Sequence, residues 1–122
     1  MSNKAVSIMA AGNSAGAANA IVGFTATGLT AVGSTQATAL ALGADNNFIS
    51  TAAASTGVVL PSGSAGDTVF IYNGGANSVT VYPPLGGTMN NLAANTGLAL
   101  ATVKSGLYTC SGGLNWVSLL SA

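Results

Sequence analysis

Charge is what this sequence lacks most. Its 122 residues include two Lys and two Asp but no Arg, Glu or His, so 3% are charged and the formal net charge is zero. An average soluble domain has about a quarter of its residues charged. Each absence excludes something. Lys4 and Lys104 lie 100 positions apart and form no basic face, which argues against nucleic-acid binding, where cations neutralise phosphates. Anionic membrane surfaces and acidic partners fail for the same reason. Without His no side chain shuttles protons near neutral pH, and without Arg none clamps an anion, so a non-enzymatic role is expected. A single cysteine, Cys110, rules out an intrachain disulfide. Long apolar runs are missing too. Positions 5–44 carry no charge, yet Asn13, Ser14, Asn19, Thr25 and Thr27 break them up, whereas a spanning helix needs about 20 apolar residues. No membrane partner is expected.

What is present is small and neutral. Hydrophobic residues make up 49%, but 23 of them are Ala, and Ser, Thr, Asn and Gln supply another 38 residues. The length suits one domain, which buries roughly two-thirds of its unfolded-chain surface. Disordered chains are highly charged and poor in β-branched and aromatic residues, so disorder is not expected here.

Short β-type runs punctuated by Gly, Asn, Ser and Pro predict strands at Phe24–Ala31, Ser34–Leu42, Asn47–Ala53, Val58–Leu60, Asp67–Asn73, Ser78–Tyr82, Gly97–Val103, Leu107–Ser111 and Asn115–Leu120. That spacing predicts an all-β fold over residues 24–122, an antiparallel sandwich or barrel of jelly-roll type. Residues 1–23 read as an extended N-terminal arm ordered by its neighbours, with one or two helical turns available to the Ala-rich Ser14–Val22. A signal peptide is the rival reading of this end, with Lys4 as its basic region, Ala5–Ala11 as its apolar core and Ala15-Gly16-Ala17 as its cleavage site.

The sharpest local unit is a hairpin, Thr68–Tyr72 and Ser78–Tyr82 about the loop 73–77, since Gly and Asn tolerate the positive φ of such turns. Pairing Ile71 with Val79 and Val69 with Val81 gives one core-forming face. The opposite face then carries Phe70, Tyr72 and Tyr82 together. Pro83-Pro84 ends the second strand. A second hairpin is expected at Lys104-Ser105-Gly106 and a third at Ser111-Gly112-Gly113-Leu114, leading to Trp116.

Few residues offer chemistry. Asp67 ahead of a strand has the ordinary role of closing a loop onto backbone N–H groups. Asp45-Asn46-Asn47 offers three oxygen-bearing side chains, but calcium sites normally use several carboxylates, and a turn is the simpler role. Cys110 lies in a strand with no His or Lys beside it and reads as a small buried hydrophobe. No catalytic, metal or cofactor site is expected. The aromatic face of Phe70, Tyr72 and Tyr82 suits a second core layer, a subunit contact or a sugar-stacking platform, and Trp116 joins them as a candidate interface residue.

Near-zero net charge promotes association. Covering Ala, Ser, Thr and Asn is much cheaper than desolvating ions, so this surface reads as one to be packed against copies of itself or against a shell. Gly57-Val58-Val59-Leu60-Pro61, Ala65-Gly66-Asp67-Thr68-Val69, Asn73–Pro83 (NGGANSVTVYP), Gly86–Thr96 (GGTMNNLAANT) and Trp116-Val117-Ser118 resemble segments of small virion proteins of tailed bacteriophages. The resemblance runs from about Leu29 to Ser118 and is weakest at the N-terminal end. It implies a β-rich, commonly trimeric capsid decoration (cement) protein, made in the host cytoplasm and bound to the major capsid protein of the virion, or else a head- or tail-fibre domain. A fibre or adhesin domain binding host glycan and a secreted bacterial surface protein are the alternative readings.

Overall fold

The computed structural model describes residues 3–122. Two short helices come first, α1 (Asn3–Ala10) and α2 (Ala15–Val22), packed on each other. The expected extended arm is therefore helical over this span, and the helical turns foreseen at 14–22 are α2. Ser14 starts it as an N-cap, its hydroxyl accepting from the Ala17 N–H at 3.1 Å, and Gly23 ends it at φ +90°.

Nine strands follow: β1 (Thr25–Ala31), β2 (Leu40–Ala41), β3 (Asn46–Ala52), β4 (Thr56–Val59), β5 (Thr68–Asn73), β6 (Val79–Tyr82), β7 (Leu98–Leu100), β8 (Lys104–Gly112) and β9 (Asn115–Leu120). They build two mixed sheets that do not close into a barrel. One runs β1-β3-β5-β8-β9, the other β2-β4-β6-β7. Strand positions agree well with the sequence pattern. Ser34–Leu42 is the main exception, contracting to Leu40–Ala41 because Thr35 and Thr38 tie off a turn between them.

The pairing is the larger correction. The first six strands alternate between the sheets, and each of the first four pairs in parallel with the strand two places on: β1 with β3, β3 with β5, β2 with β4, and β4 with β6. The chain thus winds as a flattened coil, one turn contributing a strand to each sheet, which replaces the expected antiparallel, jelly-roll-like order. Only the last three strands are antiparallel, with β7 on β6, β8 on β5 and β9 on β8. Of the three expected hairpins the third alone forms, as β8–β9, where Gly113 takes φ +55° in the turn.

The expected 67–82 hairpin fails at its loop. Asn73 is fully buried, and its side chain donates to Asn77 O (2.9 Å) and Leu100 O (3.0 Å) and accepts from Gly75 N (3.0 Å). Asn77 donates to Ala52 O in the coil below (2.9 Å), and a Cβ on Gly75 would lie 2.5 Å from that of Ala52. Gly and Asn here turn a corner and let two coils touch, rather than reversing the chain within one sheet. Val69 and Ile71 of β5 and Val79 and Val81 of β6 are buried as expected, but from opposite sheets, in one core with Ile49, Val58, Leu60, Met89, Leu100, Tyr108, Cys110 and Trp116.

Candidate functional site

Strand alternation decides where each aromatic side chain goes. In β5 the inward positions are Val69, Ile71 and Asn73, which turns Phe70 and Tyr72 onto the outer face of the five-stranded sheet. Tyr82 points outward from the other sheet, with its hydroxyl 3.5 Å from Ser34 O. The single aromatic face expected for Phe70, Tyr72 and Tyr82 is therefore split, because β5 and β6 belong to different sheets. Trp116 is 1% exposed; it belongs to the core, where its indole N–H donates to Pro61 O at 3.2 Å.

The sequence reading missed the neighbour that Phe70 and Tyr72 do have. Phe48 of β3 sits beside them, its ring centroid 5.8 Å from that of Phe70 and 6.4 Å from that of Tyr72, both tilted. The burial of Asn47 and Ile49 already turns Phe48 outward, but only the β3–β5 pairing brings it to Tyr72. Across β8 and β9 the same face continues with Leu107, Val117 and Leu119, all exposed. No charged side chain stands at an outward position within these strands; Lys104 is the first residue of β8, and its Nζ donates to Ala122 O.

Asp45 and Asp67 occupy equivalent places, each just before a strand of the five-stranded sheet, and both line an open cleft of about 410 Å³ with Ser62, Thr68 and Trp116. Each carboxylate already accepts a backbone N–H through Oδ2, Asp45 from Phe24 and Asp67 from Ser64, both at 2.8 Å. For Asp67 this is the loop closure expected from the sequence, whereas Asp45 reaches 21 residues back along the chain instead of holding a local turn. The trio Asp45-Asn46-Asn47 does not converge. Asn46 reaches toward Thr25 Oγ1 at 3.5 Å, while Asn47 turns inward and donates to Ala44 O and Phe70 O, leaving its buried Oδ1 without a protein partner. No three His, Cys, Asp or Glu side chains gather among the described residues. Nor is any described helix long and apolar enough to cross a membrane.

Cys110 is buried against the Gly113 carbonyl, as a small hydrophobe would be. Tyr108 is 1% exposed, and desolvation pushes its phenol well above the ordinary value of 10.0. A group whose folded-state pKa is raised contributes stability below the unfolded pKa and loses it as pH rises beyond. The urea midpoint should therefore be flat to about pH 9 and fall above about pH 10, where the unfolded phenol ionises and the buried one does not. Tyr108→Phe should reduce that alkaline fall, as read from urea titrations at successive pH values.

Comparison with protein-family models, curated proteins and solved structures finds no match to this chain. The functional reading therefore rests on the residues themselves. Their plainest feature is the outer face of the five-stranded sheet, whose strands place no charged side chain at an outward position.

Proposed function

We propose that this chain is a structural virion protein that decorates and stabilises a capsid, binding the major capsid protein as a homo-oligomer through apolar and hydrogen-bonded contacts. The observation that carries the reading is the placement of the charges. Asp45 and Asp67 are engaged by their own backbone in loops, Lys104 opens a strand and Lys4 lies in α1, so neither sheet presents an ion at the middle of its outer face. A surface of this kind is covered without desolvating charge, which would cost far more than covering methyls or paired amides. The capsid as the partner is taken from the resemblance read in the sequence segments between Leu29 and Ser118.

The test is sedimentation of purified protein with capsid shells that lack it. Binding should be stoichiometric and change little between about 0.05 and 1 M NaCl, because screening acts on charges. No co-sedimentation, or a steep loss with salt, removes the reading. A fibre domain binding host glycan is the second reading, and the half-exposed cluster of Phe48, Phe70 and Tyr72 favours it, since aromatic rings stack on sugar faces. A glycan array without signal eliminates that role.

A further inference from the structure

We infer that the outer face of the five-stranded sheet is the surface by which copies of this chain pack against one another. The inference rests on the self-assembly in the reading above and gives it a place in the fold.

The register shows how the face is built. Phe70 pairs with Leu107 and Leu107 with Leu119, so one apolar row crosses β5, β8 and β9. Phe48 pairs with Tyr72 and Tyr72 with Ser105, giving a parallel row that ends in hydroxyls. Leu119 is 72% exposed, the most exposed large apolar side chain on any described strand. Leu119 stands at the rim of a hollow of about 340 Å³ and forms one of its walls, the others coming from Phe70, Leu107, Leu120 and Ser121. A projecting leucine next to a hollow on one face is self-complementary. Across a two-fold axis this row meets its own equivalents, leucine to hollow.

Charge and area both suit a copy as the occupant. The face has no ion with which to recognise a charged partner, and this chain, at 3% charged residues, meets it with none. Five strands at ~4.8 Å spacing and ~3.3 Å per residue give a projected footprint of roughly 500 Å² before side-chain relief is added. A standard interface removes about 800 Å² of accessible surface per partner, so the face is of the right order.

The test is the mass of the full chain by light scattering at about 10–100 μM, far above the dissociation constant of a working interface. Wild type should run as two or more copies. Leu119→Lys should run as one copy, and in a dilution series carried down to the wild-type dissociation constant the neutral Leu119→Gln should dissociate at a concentration at least tenfold higher, the equivalent of about 1.4 kcal/mol. Thr80→Lys, on the outer face of the other sheet, should assemble like wild type. Far-UV circular dichroism and Trp116 emission verify that each variant is folded; if Leu119→Lys is not, Leu119→Gln decides. A monomeric wild type, or assembly that survives both Leu119 substitutions, overturns the inference. Shell binding is scored separately. An assembly that ignores shells removes the capsid reading and leaves this one, whereas a monomer that binds shells does the reverse.

Discussion

Trp116→Ala should destabilise the protein by about 3–5 kcal/mol, the usual cost of deleting a fully buried aromatic. A domain of this kind has only ~5–15 kcal/mol in total, so the variant should be partly unfolded at 37 °C or close to it. The reason lies in what meets at the indole. Trp116 is 1% exposed, its N–H donates to Pro61 O, its backbone N–H donates to Thr88 O, and its carbonyl accepts from Asn90 N at 2.9 Å. One side chain therefore ties β9 to the segment after β4, while its backbone holds the long connection between β6 and β7. Trp116→Phe keeps much of the volume but leaves the Pro61 carbonyl without its donor, and should lose about half as much. Urea unfolding followed by circular dichroism measures both; a loss under 1 kcal/mol in Trp116→Ala would contradict the buried placement.

Asn73→Leu should be nearly as damaging although it keeps the size of the side chain. Three backbone groups depend on this amide: the Asn77 and Leu100 carbonyls and the Gly75 N–H. Each buried group left unpaired costs about 1–3 kcal/mol, so a loss of about 3 kcal/mol or more is expected. The effect discriminates between topologies. In a β5–β6 hairpin Asn73 would sit in an exposed loop and tolerate leucine, losing well under 1 kcal/mol. Urea midpoints of the variant and wild type, at equal m-value, give the answer.

The contrast between hairpin and corner shows what was legible in the sequence. The strands were, because inward and outward residues alternate in Thr68–Tyr72 and Ser78–Tyr82 whatever the strands pair with. The core was legible for the same reason: Val69, Ile71, Val79 and Val81 are all buried. Pairing was not. A strand whose inner face is Val and Ile looks alike whether its neighbour is the next strand or the one after. Asn73-Gly74-Gly75 likewise serves a reversing turn or a tight corner, and only the proximity of Ala52 to Gly75 decides between them. The coil also left no repeat to find. Thr25 pairs with Asn46, Asn46 with Phe70 and Leu40 with Val58, offsets of 21, 24 and 18 residues. Corners absorb the difference while the strands stay in register. The candidate surface inherited this ambiguity. Phe70 and Tyr72 share a face as their spacing implies, whereas Tyr82 faces outward from the other sheet and Trp116 is a core residue. Phe48, Leu107 and Leu119 join the face only through pairings across β3, β8 and β9.

Parallel winding also bears on how a protein of this kind changes size. Within each sheet the parallel pairings run only between successive turns of the coil. Adjacent strands are ~4.8 Å apart, so every added turn raises the molecule by one such step while its cross-section stays the same. The antiparallel strands β7, β8 and β9 close one end of the stack. The height at which the closed end stands above whatever lies beneath is thus graduated like a ruler, marked in single strands.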